Sequence, residues 1–445
     1  MNNCKTLTLP ESLKTIGNST FQGMSALESI IIPNNVTTIG TYAFADDKKM
    51  LSAKLSTSCA WLKEGLFSNC DTLQAIIIPS VVTKMDAKMF ANCKSLSNVN
   101  FEDGTDLIEM GYGASQKEYG LFRDCPVETL YLGRWLSYNT DAASRSPFDS
   151  IPALKNLTFG KNVSLIDKYM FSYCTGLEKV YLPDNITSVG LWGFRGCTAL
   201  KEVRLSENLS QVADYGFSEC KSLDNVVFPA SMTSVANNSF SNCVSLKTLD
   251  LGSSLLIIGP SAFENDSTLQ GIKIPETLYG LGVASFKNCV SLPNVTINSI
   301  SSVGKQAFQG CTGLKWVSLS AKTTSIGENS FDGCSNIGYV KSYAETPPEG
   351  LANFPENVVS NGTLFVPGDY IDYYQVSPTW ENWINVKALS ENVLVTSITL
   401  DKKNASMKAA ETVTLTATVG AENADDKELT WKSEDENRGC VDLCG

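Results

Sequence analysis

The chain has 445 residues, of which 35 are Lys or Arg and 47 are Asp or Glu, so its net charge is −12. An acidic chain of this kind argues against nucleic acid or an anionic membrane surface as partner, because both bind basic faces. The sequence contains no histidine, which removes the commonest general base and metal ligand and argues against an enzyme. No apolar run is long enough to span a membrane.

The chain is built from a repeat of about 23 residues, seen most plainly between residues 171 and 262. Its skeleton is F-x-x-C-x-x-L-x-x-[VL]-x-[LF], followed by a turn and by a [VI]-[GA] pair just before the next Phe. Such self-similarity is typical of a solenoid, a propeller or an array. The repeat Phe positions are Phe21, Phe44, Phe67, Phe90, Phe122, Phe148, Phe171, Phe194, Phe217, Phe240, Phe263, Phe286, Phe308 and Phe331.

Within each turn, the apolar residues predict one short strand and a compact return. In the turn that starts at Phe67, Ile76 and Ile78 alternate as in a half-buried strand, and Pro79 ends it because proline has no N–H to donate. The Ile16-Gly17 pair predicts a second extended piece, ended by a permissive Gly. A single turn cannot bury its apolar face, so stacked turns must share a continuous core. The predicted fold is a repeat solenoid with one short parallel strand per turn and short helical or extended segments on the other side.

Ten of the fourteen cysteines occupy one slot of the repeat, three residues after the Phe. Stacked turns lie about 4.8 Å apart, which brings neighbouring cysteines within range of a disulfide. Their side chains should nevertheless point together into the core, so we interpret them as small buried hydrophobes rather than as disulfides or metal ligands. They are Cys70, Cys93, Cys125, Cys174, Cys197, Cys220, Cys243, Cys289, Cys311 and Cys334.

The regular spacing breaks twice, in consecutive turns. Phe90 to Phe122 spans 32 residues, with the excess in 104–120, and Phe122 to Phe148 spans 26, with the excess in 133–147. Insertions in repeats form loops, often on the binding face, and Tyr, Trp and Arg are enriched in binding hot spots. The ligand-binding residues predicted here are Tyr112, Tyr119, Arg134, Trp135 and Tyr138. The alternative is that both segments are ordinary packed loops.

The strand residue between the paired apolar slots should face the open side of the sheet. Along the chain this position carries charges of both signs and some aromatic residues, which suits a protein partner better than nucleic acid. The contact residues predicted on this face are Tyr181, Arg204, Asp250 and Lys273. The alternative is a merely solvated face.

Three domains are predicted: the solenoid over residues 1–342, its C-terminal cap over 343–392, and a separate β domain over 393–445. The last segment has three strand patterns, VTSITL, ETVTLTATV and ELTWKS, and Trp431 suits the buried Trp of an immunoglobulin-like sandwich. Such a sandwich needs about seven strands, so we expect an incomplete domain. At the other end, Met1 falls inside a turn and no signal peptide precedes it, so we expect a fragment of a longer protein.

The repeat resembles the BspA-like leucine-rich repeats of bacterial surface proteins, whose turns read roughly L-P-x-x-[VI]-T-x-I-G-x-x-A-F-x-x-C-x-x-L-x-x-[VI]-x-[IL]-P. Residues 31–50 (IIPNNVTTIGTYAFADDKKM) and 181–200 (YLPDNITSVGLWGFRGCTAL) carry this pattern, and the resemblance extends from residue 1 to about 390. From 393 to Ser433 the chain resembles a bacterial Ig-like group 2 domain. The tail RGCVDLCG then departs from the ending of that domain.

The resemblance implies a leucine-rich-repeat solenoid that is exported and attached to a bacterial cell surface. It also implies binding to host matrix proteins, other cells or polymers. The ligands would then be proteins or glycans. It supplies no catalytic residues. The sequence also lacks a dinucleotide fingerprint, a P-loop and an EF-hand loop, so neither a cofactor nor a metal is predicted. The predicted function is non-enzymatic recognition or adhesion. The alternative is a structural stalk that presents another domain.

Overall fold

The computed structural model describes residues 4–111, 120–139, 146–350 and 354–389, together with the strands Ser397–Leu400 and Ala417–Gly420. The chain divides into two compact units, Met1–Lys387 and Ala388–Gly445. The first unit is a parallel-strand solenoid, which confirms the predicted fold class.

One short strand per turn forms what we call the main series, and its outward side is the strand face. The sixteen strands form three consecutive parallel stacks, and Asn385–Ala388 follows the last of them. They are Thr6–Leu7, Ser29–Ile31, Ser52–Lys54, Ala75–Ile78, Asn98–Phe101, Thr129–Leu132, Asn156–Phe159, Lys179–Tyr181, Glu202–Arg204, Asn225–Val227, Thr248–Asp250, Gly271–Ile272, Asn294–Ile297, Trp316–Leu319, Tyr339–Ser342 and Thr363–Val366.

A second series of shorter strands follows the turn after each main strand, where the sequence has its Ile-Gly or Val-Gly pair. These strands also pair in parallel with their counterparts in neighbouring turns. They are Thr15–Ile16, Thr38–Ile39, Trp61–Leu62, Lys84–Met85, Ile108–Met110, Leu136–Ser137, Leu165–Ile166, Ser188–Val189, Gln211–Val212, Ser234–Val235, Ile257–Ile258, Gly280–Leu281, Ser302–Val303, Ser325–Ile326 and Glu349–Gly350.

The strand register places equivalent slots of successive turns opposite one another. Val180 lies opposite Val203, and Tyr181 lies opposite Arg204. Because successive side chains of a strand point to opposite faces, the Val180 column enters the core and the Tyr181 column faces outward. Val180 is fully buried, whereas Tyr181 is 49% exposed.

The repeat Phe rings form a continuous ladder through the core. Successive ring centroids lie 5.0–6.1 Å apart, and successive planes are within 20° of parallel. The ladder also crosses both irregular spacings, since Phe90 stacks on Phe122 at 5.6 Å and Phe122 on Phe148 at 5.9 Å. The extra residues of those two turns therefore leave the stack unbroken.

The stack extends one turn beyond the fourteen Phe residues of the sequence pattern. Phe354 stacks on Phe331 at 5.0 Å, and Thr363–Val366 pairs in parallel with Tyr339–Ser342. The segment predicted as a cap, 343–392, thus begins with a further turn of the solenoid. The pattern is hard to see there because that turn lacks the Cys and Gly of the repeat.

The end of the first unit is closed by buried aromatic side chains. Trp380 is fully buried, and its Nε1 donates to Pro348 O at 2.8 Å. The Tyr374 hydroxyl donates to Ala344 O at 2.8 Å, and Trp383 packs edge-on against the Phe354 ring. The helical elements of this region are the α-helices Glu356–Asn361 and Ile371–Gln375 and the 3-10 helix Gly368–Tyr370.

The cysteine slot is buried as predicted, and the structure adds a hydrogen bond that the sequence did not reveal. Each of the ten Sγ atoms lies 2.9–3.3 Å from the carbonyl oxygen of the repeat Phe in the preceding turn, as Cys197 does from Phe171. Burial raises the pKa of the Cys174 thiol to about 12, and it also raises the pKa of Cys220 and Cys243. The protonated thiol therefore donates between turns, which an aliphatic residue in this slot cannot do.

Two turns place an aspartate in the cysteine slot. Oδ1 of Asp47 accepts from the Met24 N–H at 2.6 Å, and Oδ1 of Asp266 accepts from the Cys243 N–H at 2.8 Å. Oδ2 of each aspartate is buried and makes no hydrogen bond within the described residues. Burial raises the pKa of Asp47 to about 7 and the pKa of Asp266 well above its usual range. Both carboxyl groups are thus biased towards the neutral, protonated form.

The second unit is described by two strands. Ser397–Leu400 pairs antiparallel with Ala417–Gly420, and both lie in segments whose alternation predicts β-strands. The third predicted strand, Trp431 and the RGCVDLCG tail lie outside the described residues.

Candidate recognition surfaces

Four of the predicted contact residues lie in one outward column of the strand face. Tyr181 lies opposite Arg204, and Val227 lies opposite Asp250. Lys273 follows in the next turn, and all five side chains are exposed. Five successive turns spaced at about 4.8 Å make this column about 19 Å long. The structure therefore brings together residues that are as much as 92 positions apart in the sequence.

At the N-terminal end of this column, the charges are paired within the surface. The Tyr181 hydroxyl donates to Glu202 Oε1 at 3.0 Å, and Lys179 Nζ lies 2.7 Å from Glu202 Oε2. The hydrogen bonds from Lys179 and Tyr181 lower the pKa of Glu202. Glu202 therefore stays ionised and anchors the exposed Tyr181 side chain on the strand face.

Further along the column, two cations have no counter-charge of their own. Within the described residues, no carboxylate oxygen lies within 4.0 Å of the charged groups of Arg204 or Lys273. The nearby Asp250 accepts from the Gly252 N–H at 2.8 Å, which fixes its own turn. An exposed cation of this kind pairs with a partner's carboxylate without first breaking an internal ion pair.

The structure corrects the prediction for Arg134, which is fully buried. Its Nη1 donates to Ser80 O and its Nη2 to Pro79 O, each at 2.5 Å. Its side chain passes over Gly104, where an added Cβ would lie 3.0 Å from Arg134 Cδ. Burial lowers the pKa of this guanidinium, and the two carbonyl acceptors compensate for its lost hydration. Arg134 fastens the irregular turn to the turn of Pro79, and its two terminal nitrogens are used within the chain.

The structure also corrects the prediction that Tyr138 contacts a ligand, because this side chain is buried. Only 9% of it is exposed, and its hydroxyl donates to Lys168 O at 2.8 Å. Burial raises the pKa of Tyr138 well above its usual value, so the hydroxyl remains a donor. The residue types of the insertion indicated a binding loop, but two of its polar side chains turn back onto neighbouring coils.

Trp135 is 42% exposed and stays a candidate contact residue. It borders a cavity of about 100 Å³ together with Leu165, Asp167 and Met170. Leu165 belongs to the second series, so Trp135 lies beside that series and not in the Tyr181 column. The other predicted loop residues, Tyr112 and Tyr119, lie outside the described residues.

A cluster at the C-terminal end of the strand face was not predicted. The Trp316 and Tyr339 rings stack with their centroids 6.0 Å apart and their planes within 5°, and Phe365 meets Tyr339 edge-on at 6.1 Å. We call these three half-buried side chains the aromatic row. One signal was available in the sequence, because Trp316 and Tyr339 are one repeat of 23 residues apart.

These surfaces offer ionic, hydrogen-bonding and apolar contacts. In the described ranges, no group of three or more Cys, Asp or Glu side chains is arranged to hold a metal ion. Nor does any helix in the same ranges have the length and apolar character to cross a membrane.

A stack of 23-residue turns with short parallel strands, a buried Phe, Leu and Cys core and an open strand face defines a leucine-rich-repeat solenoid. The sequence matches the family model for the BspA type leucine rich repeat region in six copies, over residues 1–117, 141–270 and 256–361. The chain therefore belongs to the BspA-type leucine-rich-repeat family. Residues 394–445 match the bacterial Ig-like domain, group 2. Among curated proteins, none matches the sequence.

Several solved structures of bacterial proteins match the chain. A leucine-rich repeat protein from Bacteroides ovatus is 20% identical with a TM-score of 0.50, over 85% of this chain and 88% of that one. The pneumococcal vaccine antigen PcpA is 15% identical with a TM-score of 0.37, over 85% of each chain. A leucine rich cell surface protein from Faecalibacterium prausnitzii is 19% identical with a TM-score of 0.26, over 74% and 83%. At 20% identity, the match to the Bacteroides ovatus structure indicates the fold alone.

Family membership places the chain among bacterial leucine-rich-repeat surface proteins. Leucine-rich-repeat solenoids and Ig-like domains are typically non-enzymatic. Function in such folds depends on what individual surface residues present to a partner.

Proposed function

We propose that the protein is a non-enzymatic recognition module of a bacterial cell surface, which binds a protein of the host matrix or of another cell through its strand face. One observation carries the proposal. In successive turns the outward column changes from Tyr181 to Arg204, Val227, Asp250 and Lys273, while the inward slot beside it stays apolar. The column thus presents aromatic, charged and apolar groups side by side, a combination that a protein partner can match.

The rigidity of the scaffold supports the same conclusion. The backbone on both sides of the column is held by parallel ladders, and Tyr181 is held by Glu202. Side chains that are already ordered lose little conformational entropy on binding. Multipoint contact on such a surface needs little change in the backbone. Trp135 provides a second contact region beside the second series.

The experiment is a binding screen of the whole chain against matrix proteins, mucins, glycans and intact cells. Three variants accompany it: Tyr181→Ser/Arg204→Ser/Asp250→Ser in the column, Trp135→Ser beside the cavity, and a matched control. The control, Lys161→Ser/Glu207→Ser/Tyr279→Ser, removes the same kinds of side chain from exposed positions outside the strand face.

We expect the wild type to bind a protein ligand, the column variant to bind at least ten times more weakly, and the control to match the wild type. If only Trp135→Ser loses binding, the contact region lies beside the second series and not on the strand face. Equal binding by the column variant and the wild type would reject the strand face. A folded wild type that binds nothing would favour the alternative function, a structural stalk that presents another domain.

A further inference from the structure

The C-terminal end of the strand face is positively charged on a chain that is acidic overall. Residues 262–389 contain eleven carboxylates and seven lysines. The strands of this region are the main-series strands from Gly271–Ile272 onwards and Asn385–Ala388. None of the eleven carboxylates lies within these strands or immediately beside them in the sequence. Four of the lysines do: Lys273, Lys315, Lys341 and Lys387. We call these four the basic end.

Three of these lysines lack an internal counter-charge. In the described part of the chain, no carboxylate oxygen lies within 4.0 Å of Nζ of Lys273, Lys315 or Lys387. The centre of the same face differs, because Lys179 and Lys247 pair with acidic side chains at 2.7 and 2.9 Å. The positive charge of these three lysines is therefore available to a partner, whereas that of Lys179 and Lys247 at the centre is neutralised within the surface.

The aromatic row crosses the same strands. Trp316 and Tyr339 stack on each other across adjacent strands, so their ring faces are directed along the stack and their edges outward. The edge of an aromatic ring carries the positive part of its quadrupole. The outward edges thus attract the same negative groups that the lysines attract, while the rings add apolar contact area.

We propose that the basic end and the aromatic row bind an extended acidic segment of a protein partner. This proposal rests on the proposed function and names the chemistry of the partner at one end of the strand face. The basic end spans six strands, or about 24 Å at 4.8 Å per strand. An extended peptide rises about 3.3 Å per residue, so a segment of about seven residues covers it.

The arrangement of the rings distinguishes this partner from other anionic polymers. Single-stranded nucleic acid binds by stacking its bases on open aromatic faces, and a sugar ring that packs on an aromatic residue also needs an open face. In the aromatic row, Trp316 and Tyr339 each have one face covered by the other ring, and Phe365 meets Tyr339 edge-on. Carboxylates approach ring edges and lysines at once, so an acidic peptide fits the surface best.

The test uses a display library of random 12-residue peptides, selected on the immobilised full chain. The basic-end variant is Lys273→Glu/Lys315→Glu/Lys387→Glu. The control, Lys161→Glu/Lys221→Glu/Lys322→Glu, makes the same change in net charge at exposed lysines outside the main-series strands. Thermal melts of the three proteins check that they fold alike.

We expect the wild type and the control to enrich peptides with several Asp or Glu residues, and the basic-end variant to reduce this enrichment at least tenfold. The most enriched peptide, labelled with fluorescein, should bind at least ten times more weakly to the basic-end variant. Trp316→Ala should weaken binding, and Trp316→Phe should largely restore it. Heparin and single-stranded DNA serve as competitors.

Enrichment of neutral or basic peptides, enrichment that survives in the basic-end variant, or failure to enrich any peptide would overturn the proposal. So would selective binding of heparin or DNA to the basic end in place of peptide. The Tyr181 column variant separates the two proposals. If it loses the partner found in the screen while the basic-end variant keeps it, recognition by the strand face stands and the acidic segment does not.

Discussion

Two columns of side chains run along the solenoid only one residue apart, and they follow opposite rules. The inward column holds Val180 and Val203, and it remains apolar from turn to turn. The outward column beside it holds Tyr181, Arg204 and Asp250, which share neither size nor charge. Each inward residue packs against its own copy in the next turn, so its identity is constrained by stacking. Comparison of turns within a single chain therefore separates residues that build the fold from residues free to serve recognition.

The largest effect is expected from breaking the Phe ladder. Phe217 is fully buried, with its neighbours' ring centroids at 5.2 and 5.3 Å. Phe217→Ala should lower the free energy of unfolding by about 3–5 kcal/mol, because the removed ring leaves a cavity. Urea denaturation measures the loss, and hydrogen exchange should locate it in the adjacent turns. Tyr279→Ala, at a site that is 60% exposed, is the control; equal losses for both would refute the ladder's role.

A second test uses the two turns where aspartate replaces cysteine. The pKa of Asp47 is raised to about 7 by burial, so the folded state favours the protonated form. Its contribution to stability is complete below pH 4 and is lost as the pH rises towards 7 and beyond. At one pKa unit per 1.36 kcal/mol, the wild type should lose about 2–4 kcal/mol over this range relative to Asp47→Asn.

Urea midpoints at pH 4.5 and pH 7.5 check this expectation. Asp47→Cys restores the residue of the regular turns and should abolish the same pH-dependent difference. The exposed Asp250 provides the control, because Asp250→Asn removes a carboxylate that is not buried. A wild type and an Asp47→Asn variant with parallel pH profiles would show that Asp47 ionises normally in the folded protein.

A third effect separates structural residues of the irregular turns from surface residues. Arg134→Ala leaves the Pro79 and Ser80 carbonyl groups without their donors and should cost about 2–3 kcal/mol. Arg134→Lys should recover part of this, since an ammonium does not reproduce the forked geometry of the guanidinium. Trp135→Ala, at the next residue, is the control and should change stability little. If urea denaturation ranks the two alanine variants in the opposite order, the assignment of Arg134 as a structural residue fails.

The difference between Arg134 and Trp135 also shows where sequence reasoning stops. The core was predictable because each buried position recurs in turn after turn. The regular spacing of the repeat Phe and Cys residues therefore indicates that they are buried. The outward column was predictable for the same reason, since Tyr181 and Arg204 occupy one register position. No repeat records the role of Arg134, because its acceptors lie 54 and 55 residues earlier in the chain. A residue whose structural role occurs in only one turn produces no periodic pattern in the sequence.

The smallest effect on stability, and the sharpest test of the comparison, comes from two adjacent residues of one strand. Arg204 faces outward and has no counter-charge within the described residues, so Arg204→Ala should change the free energy of unfolding by less than about 0.5 kcal/mol. Val203 faces the core and is 7% exposed, so Val203→Ala should cost about 1–3 kcal/mol. Ligand binding should show the reverse order, falling for Arg204→Ala and holding for Val203→Ala at temperatures where both are folded. Because the two positions share one backbone segment, a common effect on stability and binding would mean that the columns are not independent, and the separation of fold from recognition would fail.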